Sequence, residues 1–152
     1  MIESTLPITG IRTVYARFPL PRGAGPTQSY SVTLLDTDRG LTGVGLVSTP
    51  SVGDKQIRDL VEDIGARIVG REIAAVMAGY GSELQSGAND AQYRGPGLHK
   101  GLVHAALTSL TNACFDLRAK SRAGPLWRLL LDLTPAQLVA TLDLSYLEDV
   151  LT

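Results

Sequence analysis

The fold is decided by residues 96–131, which read PGLHKGLVHAALTSLTNACFDLRAKSRAGPLWRLLL. Ala105, Ser109 and Ala113 are small enough for another backbone to come close. Gly124-Pro125 supplies a helix stop signal. Apolar residues recur at the three- and four-residue spacings of one helical face, at Val103, Ala106, Leu107, Leu110, Cys114 and Leu117. The sequence therefore predicts a central, packed helix over Gly101–Ser121.

The other face of this helix is polar. Asp116 and Lys120 are four residues apart, a spacing that favours an ion pair on a helix surface. We expect the polar side chains of this face to point toward water, and they are Lys100, Asn112, Asp116, Arg118, Lys120 and Arg122.

Three strands precede the helices. Alternating side chains with many β-branched and aromatic residues predict strands over Ile8–Leu20, Tyr30–Asp36 and Leu41–Thr49. Thr37–Gly40 has the composition of a tight turn, whereas Pro21–Ser29 is a longer, glycine-rich loop. Strands joined in this order predict an antiparallel meander.

The pattern changes period near Pro50. An apolar stripe predicts a helix over Asp54–Val69, with Asp54 as its cap and Gly70 closing it. A weaker helix is predicted over Glu72–Leu84, and Gln85–Gly95 is predicted to be a loop. Strands followed by helices predict an α+β fold, a three-stranded antiparallel meander followed by a helical bundle.

The segment after Pro125 is predicted to be short helices. Thr134-Pro135-Ala136-Gln137 has the form of a capping box with proline at the first helical position. Leu126 to Leu131 is apolar and contains the only tryptophan, Trp127. We expect Leu126, Trp127, Leu130 and Leu131 to form an exposed apolar surface.

Composition excludes several classes of function. The chain has 152 residues, is 44% apolar and has a net charge of −1, which argues against a nucleic-acid partner. No apolar run reaches about 20 residues, so no membrane span is expected. The N-terminus does not resemble a signal peptide, and the one cysteine fits a reducing compartment, so we expect a cytoplasmic protein.

The sequence offers no constellation that could run a reaction. His99 and His104 are five residues apart, so they do not share a helical face for a metal, and no His-Glu-x-x-His motif occurs. Catalytic and metal-binding residues are therefore expected to be absent from this chain.

The central stretch resembles the N-terminal capping domain of the enolase superfamily, in its mandelate racemase and muconate lactonizing group. The likeness rests on Lys100-Gly-Leu-Val-His104, Asn112-Ala113, Phe115-Asp116-Leu117 and Gly124-Pro125-Leu-Trp-Arg-Leu-Leu130. The continuation Leu131-Asp-Leu-Thr-Pro135 and Asp143, Tyr146-Leu147 and Asp149 is similar to the L-fuconate dehydratase branch, which acts on sugar acids.

This resemblance implies a division of labour between two domains. Family members hold Mg²⁺ and abstract a proton α to a carboxylate with groups of a barrel domain, which takes about 250 residues. Residues 1–125 would be the capping domain, with strands in 8–49 and helices in 54–121. Residues 126–152 would be a helical linker to a barrel that is missing from this sequence. The chain itself would bind no cofactor, and Mg²⁺ would belong to the barrel.

The resemblance also implies a substrate lid. Loops 21–29 and 49–53 would close over the mouth of the barrel, of the same enzyme or of a second chain, and select the sugar acid; a homo-oligomer is left open. The side chains expected to face the substrate are Arg22, Thr27, Gln28, Ser29 and Ser51.

Two functions remain open from the sequence. One is the capping portion of a Mg²⁺-dependent sugar-acid dehydratase, which would remove water after proton abstraction. The other is a free-standing, non-catalytic interaction module that kept the cap fold without the barrel. Whether the chain is an enzyme is left undecided.

Overall fold

The computed structural model describes residues 5–19, 28–49, 53–94, 100–142, 144 and 147, except for the side chains of residues 85, 86 and 94. Within these ranges, none of the helices combines the length and apolar character needed to cross a membrane.

The strands form the predicted antiparallel meander. β1 (Ile8–Phe18), β2 (Gln28–Thr37) and β3 (Thr42–Thr49) make a sheet in the order β1-β2-β3. The Gly40 amide donates to the Thr37 carbonyl oxygen at 3.2 Å, and Gly40 has a φ of 73°, so the predicted turn between β2 and β3 is confirmed.

The helices follow the sheet, as predicted for an α+β fold. A π-helical turn, Tyr80–Leu84, and a 3₁₀ segment, Gln85–Asn89, connect the second helix to the third. The α-helices of the described residues are α1 (Asp54–Ala66), α2 (Ile73–Ala78), α3 (Ala91–Arg94), α4 (Lys100–Ser121), α5 (Leu126–Leu131) and α6 (Pro135–Ala140).

Three helix predictions need correction. The helix predicted over Glu72–Leu84 is interrupted, because α2 ends at Ala78 and a π-helical turn, Tyr80–Leu84, follows it. The helix predicted over Asp54–Val69 ends at Ala66, because the chain turns at Gly70, whose amide donates to the Ile8 carbonyl oxygen at 2.8 Å. The loop predicted over Gln85–Gly95 contains the 3₁₀ segment and α3. Tyr93, only 4% exposed, donates to Asp63 of α1 at 2.8 Å, so tertiary contacts override the weak local propensity.

The central helix α4 lies in the middle of the core, as predicted. The six residues of its predicted apolar face are at most 6% exposed. α4 packs on β3 and α1, and α1 also packs on β1. The capping box before α6 is confirmed, since the Gln137 amide donates to Thr134 Oγ1 at 3.3 Å and the Thr134 amide donates to Gln137 Oε1 at 2.9 Å.

The sheet turns its small and polar side chains toward the helices. Thr33 is fully buried on that face, and its Oγ1 lies 2.7 Å from Ser109 Oγ of α4. On the opposite face Val14 and Leu46 are each 50% exposed, and Phe18 is 53% exposed. Several large apolar side chains of the strands therefore face away from the core, whereas Ile8 and Leu35 are fully buried in it.

The close contact between α4 and β3 explains this arrangement. A Cβ atom on Gly45 would overlap the Ser109 carbonyl oxygen and the Ala113 backbone nitrogen. A Cβ on Gly43 would overlap the Ala113 carbonyl oxygen. Backbone touches backbone at both positions, which leaves no room for side chains between helix and strand.

Side chains of α4 also occupy the outer edge of β3. Asn112, Asp116 and Lys120 follow one line along the helix, and Lys120 Nζ lies 2.6 Å from Asp116 Oδ2, which confirms the predicted ion pair. These side chains were predicted only to face water; they also satisfy strand groups that would otherwise attract another chain. The hydrogen bonds run from Asn112 Nδ2 to Leu46 O (3.3 Å), from the Val44 amide to Asp116 Oδ2 (2.7 Å) and from Lys120 Nζ to Thr42 O (2.9 Å).

We expect Gly45→Ala to lower the free energy of unfolding by about 3 kcal/mol or more, because the added methyl group meets backbone that side-chain motion cannot relieve. Gly10→Ala is the matched control, since a Cβ there meets nothing within 4 Å. It should change stability by less than about 0.5 kcal/mol. Denaturant unfolding measures both, and equal losses would contradict the close helix–strand contact.

Candidate functional site

One end of each of the three strands and the start of α1 meet at the end of the sheet away from the Thr37–Gly40 turn. β1 ends at Phe18, which pairs with Gln28 at the start of β2. Ser29 pairs with Thr49, the last residue of β3. α1 begins shortly afterwards, so the segments on either side of residues 20–27 and 50–52 are held side by side.

The predicted lid residues divide into two groups. Arg22, Thr27 and Ser51 lie outside the described residues, and their role stays a prediction. Gln28 and Ser29 lie at this end of the sheet, and the structure gives them different environments.

Asp54 is the centre of this region. It is the first residue of α1 and is 2% exposed. Its carboxylate accepts hydrogen bonds from Thr49 Oγ1 at 2.6 Å and from Ser29 Oγ at 2.8 Å. Arg17 donates to Asp54 Oδ2 from Nε and Nη2, both at 3.0 Å. We call Arg17, Ser29, Thr49 and Asp54 the strand-end cluster, which joins all three strands to the start of α1.

Asp54 was predicted to cap the helix, and this was wrong. The cap position is held by Gly53, which has a φ of 91°, and no side-chain cap hydrogen bond is formed. The Asp54 carboxylate is instead occupied by donors of the sheet. Its negative charge in the first turn is still favourable for the helix dipole.

The cluster keeps Asp54 ionised. Burial raises the pKa of its carboxyl group, but the hydrogen bonds from Thr49, Ser29 and Arg17, with the charge of Arg17, together lower the pKa by more. The net result is a pKa below the usual range of aspartate. Asp54 is therefore a carboxylate at neutral pH, paired with an arginine whose side chain is 53% exposed.

Gln28, at the start of β2, makes direct hydrogen bonds to the end of β3. Its Nε2 donates to the Thr49 carbonyl oxygen at 3.1 Å and to Ser48 Oγ. The side chain is half-buried, so part of it remains open to the surface beside the strand ends. The prediction that Gln28 faces a ligand is therefore unchanged.

Ser29 needs correction as a substrate-facing residue. It is fully buried, and its hydroxyl donates to Asp54. Ser29 lies on the face of β2 that packs on the helices, so its side chain supports the loop ends from the interior of the protein. Sequence reasoning missed Arg17 and Thr49; the available signal was Arg17 itself, a charge placed between Ala16 and Phe18 of an otherwise regular strand.

The described residues contain no group of three or more His, Cys, Asp or Glu side chains that could hold a metal ion. Cys114 is buried in α4, and burial raises the pKa of its thiol to about 12, so it stays protonated. That this chain binds no cofactor remains a prediction.

The predicted apolar surface on α5 is confirmed. Leu126 is 38% exposed, Leu130 45%, Trp127 61% and Leu131 75%, while Leu129 points inward. Beside it, a cavity of about 510 Å³ lies between α2, α4, α5 and α6. Its lining is mainly apolar, including Met77, Phe115, Leu129 and Leu133, with Arg118 and Arg122.

Solved structures with this arrangement identify the class of fold. The human mitochondrial enolase superfamily member 1 superposes with a TM-score of 0.84 at 28% identity, over 97% of this chain and 36% of that one. A Bradyrhizobium enolase complexed with magnesium and mandelic acid gives 0.66 at 27% identity, over 86% and 36%. The chain has the fold of the N-terminal capping domain of the enolase superfamily.

Sequence comparison points to the same superfamily. L-galactonate dehydratase of Hypocrea jecorina is 31% identical over 157 residues, which cover 98% of this chain and 35% of that protein. Mitochondrial enolase superfamily member 1 of Bos taurus is 33% identical over 129 residues, 84% of this chain and 29% of that protein. No family model matches the chain. In sequence as in fold, the chain is related to the enolase superfamily, and it spans about a third of the length of these relatives.

We expect Asp54→Asn to lower the free energy of unfolding at pH 7 by about 1–3 kcal/mol, because hydrogen bonds to a charged acceptor are weakened. The pKa of Asp54 is lowered by folding, so its stabilisation is present above the unfolded pKa, near 4, and is lost as pH falls through the folded pKa. The gap between variant and wild type should therefore close as the solution is acidified from about pH 5 to about pH 2.

The control for this measurement is Asp38→Asn, in the exposed turn between β2 and β3. It should change stability by less than about 0.5 kcal/mol at any of these pH values. A gap for Asp54→Asn that stays constant through the acid range would show that the cluster does not depend on the charge.

Proposed function

We propose that this chain acts as the N-terminal capping portion of a sugar-acid dehydratase. The observation that carries the proposal is the match to L-galactonate dehydratase, which extends over 98% of this chain. The strand-end cluster supports it, because it brings together the ends of the two loops that the resemblance assigns to the substrate lid. In such an enzyme the barrel abstracts the proton α to the carboxylate, and the lid excludes water and selects the substrate.

The proposed partner is a barrel domain, as part of the same protein or as a second chain. Mg²⁺ would be held by that barrel and would stabilise the negative charge that develops on the carboxylate after proton abstraction. The Bradyrhizobium enolase structure is a complex with magnesium. The apolar surface on α5 supports a partner next to the C-terminal helices, since exposed patches of large apolar residues mark interaction sites.

Two sugar acids are candidates for the substrate. The resemblance to the fuconate branch suggests L-fuconate, whereas the curated relative is an L-galactonate dehydratase. L-fuconate is L-galactonate without the hydroxyl on carbon 6. A site that hydrogen-bonds this hydroxyl would reject fuconate by about 10⁴-fold, whereas an apolar site would reject galactonate by only about 10²-fold.

Four side chains are proposed to face the sugar acid. Arg22 could pair with the substrate carboxylate, and Thr27, Gln28 and Ser51 could exchange hydrogen bonds with sugar hydroxyls. Gln28 is supported by its position beside the strand ends and its half-buried side chain. We propose the cytoplasm as the compartment, because the single cysteine forms no disulfide within the chain.

The alternative, a free-standing interaction module, has one observation in its favour. The core closes within this chain: the buried residues of α1, α2 and α4 and of the sheet form one continuous cluster. Such a domain could fold without a barrel and present α5 to another protein. It would then show no turnover in any combination with a barrel.

The deciding experiment measures turnover of a panel of sugar acids with Mg²⁺. We expect none from the chain alone and turnover of L-galactonate or L-fuconate by the chain fused to the barrel of L-galactonate dehydratase. In the active fusion, Arg22→Ala should lower kcat/KM by about 10- to 100-fold, the cost of one lost charge-assisted hydrogen bond.

The matched control is Arg39→Ala, an exposed arginine in the turn at the other end of the sheet. It should leave kcat/KM within about twofold of the parent fusion. Turnover by the chain alone, or equal losses for the two arginine variants, would refute the lid assignment.

A separate measurement tests the partner surface. Replacing Trp127 and Leu131 by serine should reduce binding of a hydrophobic dye and weaken association with a separately supplied barrel domain. The free energy of unfolding should change by less than about 0.5 kcal/mol, because both side chains are largely exposed. Unchanged dye binding would show that Trp127 and Leu131 do not form the apolar surface that binds the dye, and would contradict the proposed partner surface on α5.

A further inference from the structure

The strand-end cluster has a role that the lid residues themselves do not explain. On the basis of the proposed function, we infer that Asp54 is a positioning residue that fixes the ends of the two substrate loops relative to each other. It would not touch the sugar acid. It would act through Arg17, Ser29 and Thr49, and so determine where the loop residues are held.

The cluster takes one side chain from each chain segment that borders the loops. Arg17 is the last residue but one of β1, and Ser29 is the second of β2. Thr49 is the last of β3, and Asp54 the first of α1. Every donor is therefore within one residue of the point where its element ends. A carboxylate at this place can hold all four ends together.

Burial protects the hydrogen bonds of the strand-end cluster from competition with water. Ser29 is 0% exposed, Asp54 2% and Thr49 4%, so water does not compete for the carboxylate from the sheet side. A buried hydroxyl that loses its acceptor is left unsatisfied, which is costly. Opening one bond therefore weakens the others, and the four ends should move together or not at all.

The opposite end of the sheet provides an internal comparison. Asp36 accepts from Arg12 Nε of β1 at 2.9 Å and from Thr42 Oγ1 of β3 at 2.8 Å. The same chemical groups are used, but the Asp36 side chain is 36% exposed and borders only the short turn. Asp36→Asn is therefore a matched control for Asp54→Asn, with equal chemistry and no loop to position.

The first test is amide hydrogen exchange on this chain. In Asp54→Asn the amides of Phe18, Gln28, Thr49 and Ile57, the last of which donates to the Gly53 carbonyl oxygen at 2.9 Å, should exchange at least about tenfold faster than in wild type, while those of α4 keep their rates. Thr49→Val, which removes one donor at nearly constant shape, should show a smaller effect at the same amides. Asp36→Asn should leave these amides unchanged. Equal acceleration by Asp54→Asn and Asp36→Asn, or none by either, would overturn the inference.

The second test separates positioning from mere stability. In the active barrel fusion, below the unfolding temperature of each variant, Asp54→Asn should raise KM for the sugar acid by about tenfold, with a smaller change in kcat. Asp36→Asn should alter neither. If the active fusion carrying Asp54→Asn has the same KM as the parent fusion, the inference is wrong, whatever its kcat. If the fusion shows no turnover at all, the proposed function fails, and hydrogen exchange alone decides whether Asp54 holds the strand ends.

Discussion

The backbone of α4 lies so close to β3 that only glycine fits at positions 43 and 45 of the strand. This contact determines much of the remaining structure. It explains why the helix presents the small residues Ser109 and Ala113 to the sheet, where Ser109 also shares a hydrogen bond with Thr33. It also brings α4 close enough for its polar side chains to satisfy the outer edge of β3. The remaining core is formed mainly by α4, α1 and α2, together with Ile8 and Leu35 of the sheet.

The same contact shows what the sequence could and could not predict of the fold. The period-2 pattern of the strands and the 3.6-residue pattern of α4 predicted the elements and their order. Val44 and Leu46 lie on one face of β3, as the alternation of a strand requires, and both are exposed. The patterns did not reveal this exposure, because an apolar face of a strand is ordinarily the buried one. The part of the buried face that lies against α4 consists largely of glycine, serine and threonine, which have little hydrophobic signal of their own. The large apolar side chains fully buried on this face are Ile8 and Leu35. Gly43 and Gly45 were the available clue, since glycine inside a strand often marks close approach of another backbone.

The candidate site was predictable to a smaller extent. Loop composition and the family resemblance pointed to the end of the sheet away from the Thr37–Gly40 turn, and Gln28 lies at that end. Asp54 was recognised as significant but given the wrong role, since local sequence favours a helix cap and cannot show that three strands deliver donors to the same carboxylate. Ser29 was assigned to the surface because strand β2 was predicted to begin at Tyr30, two residues later than it does. The roles of Arg22, Thr27 and Ser51, and the division of the chain at residue 125, remain predictions.

Two apolar surfaces remain exposed on this domain. The core is closed by its own helices, so the exposed apolar residues are not the result of an incomplete interior. Yet Val14, Phe18 and Leu46 on the sheet, and Trp127 and Leu131 on α5, are each at least half exposed. Contiguous exposed patches of large apolar side chains often mark interaction sites. The two faces lie on different elements, the strands and a C-terminal helix, and neither contributes a side chain to the strand-end cluster. This arrangement supports the capping-domain proposal, in which the apolar surfaces attach the domain to a partner and the cluster holds the loops that would meet a hydrophilic acid.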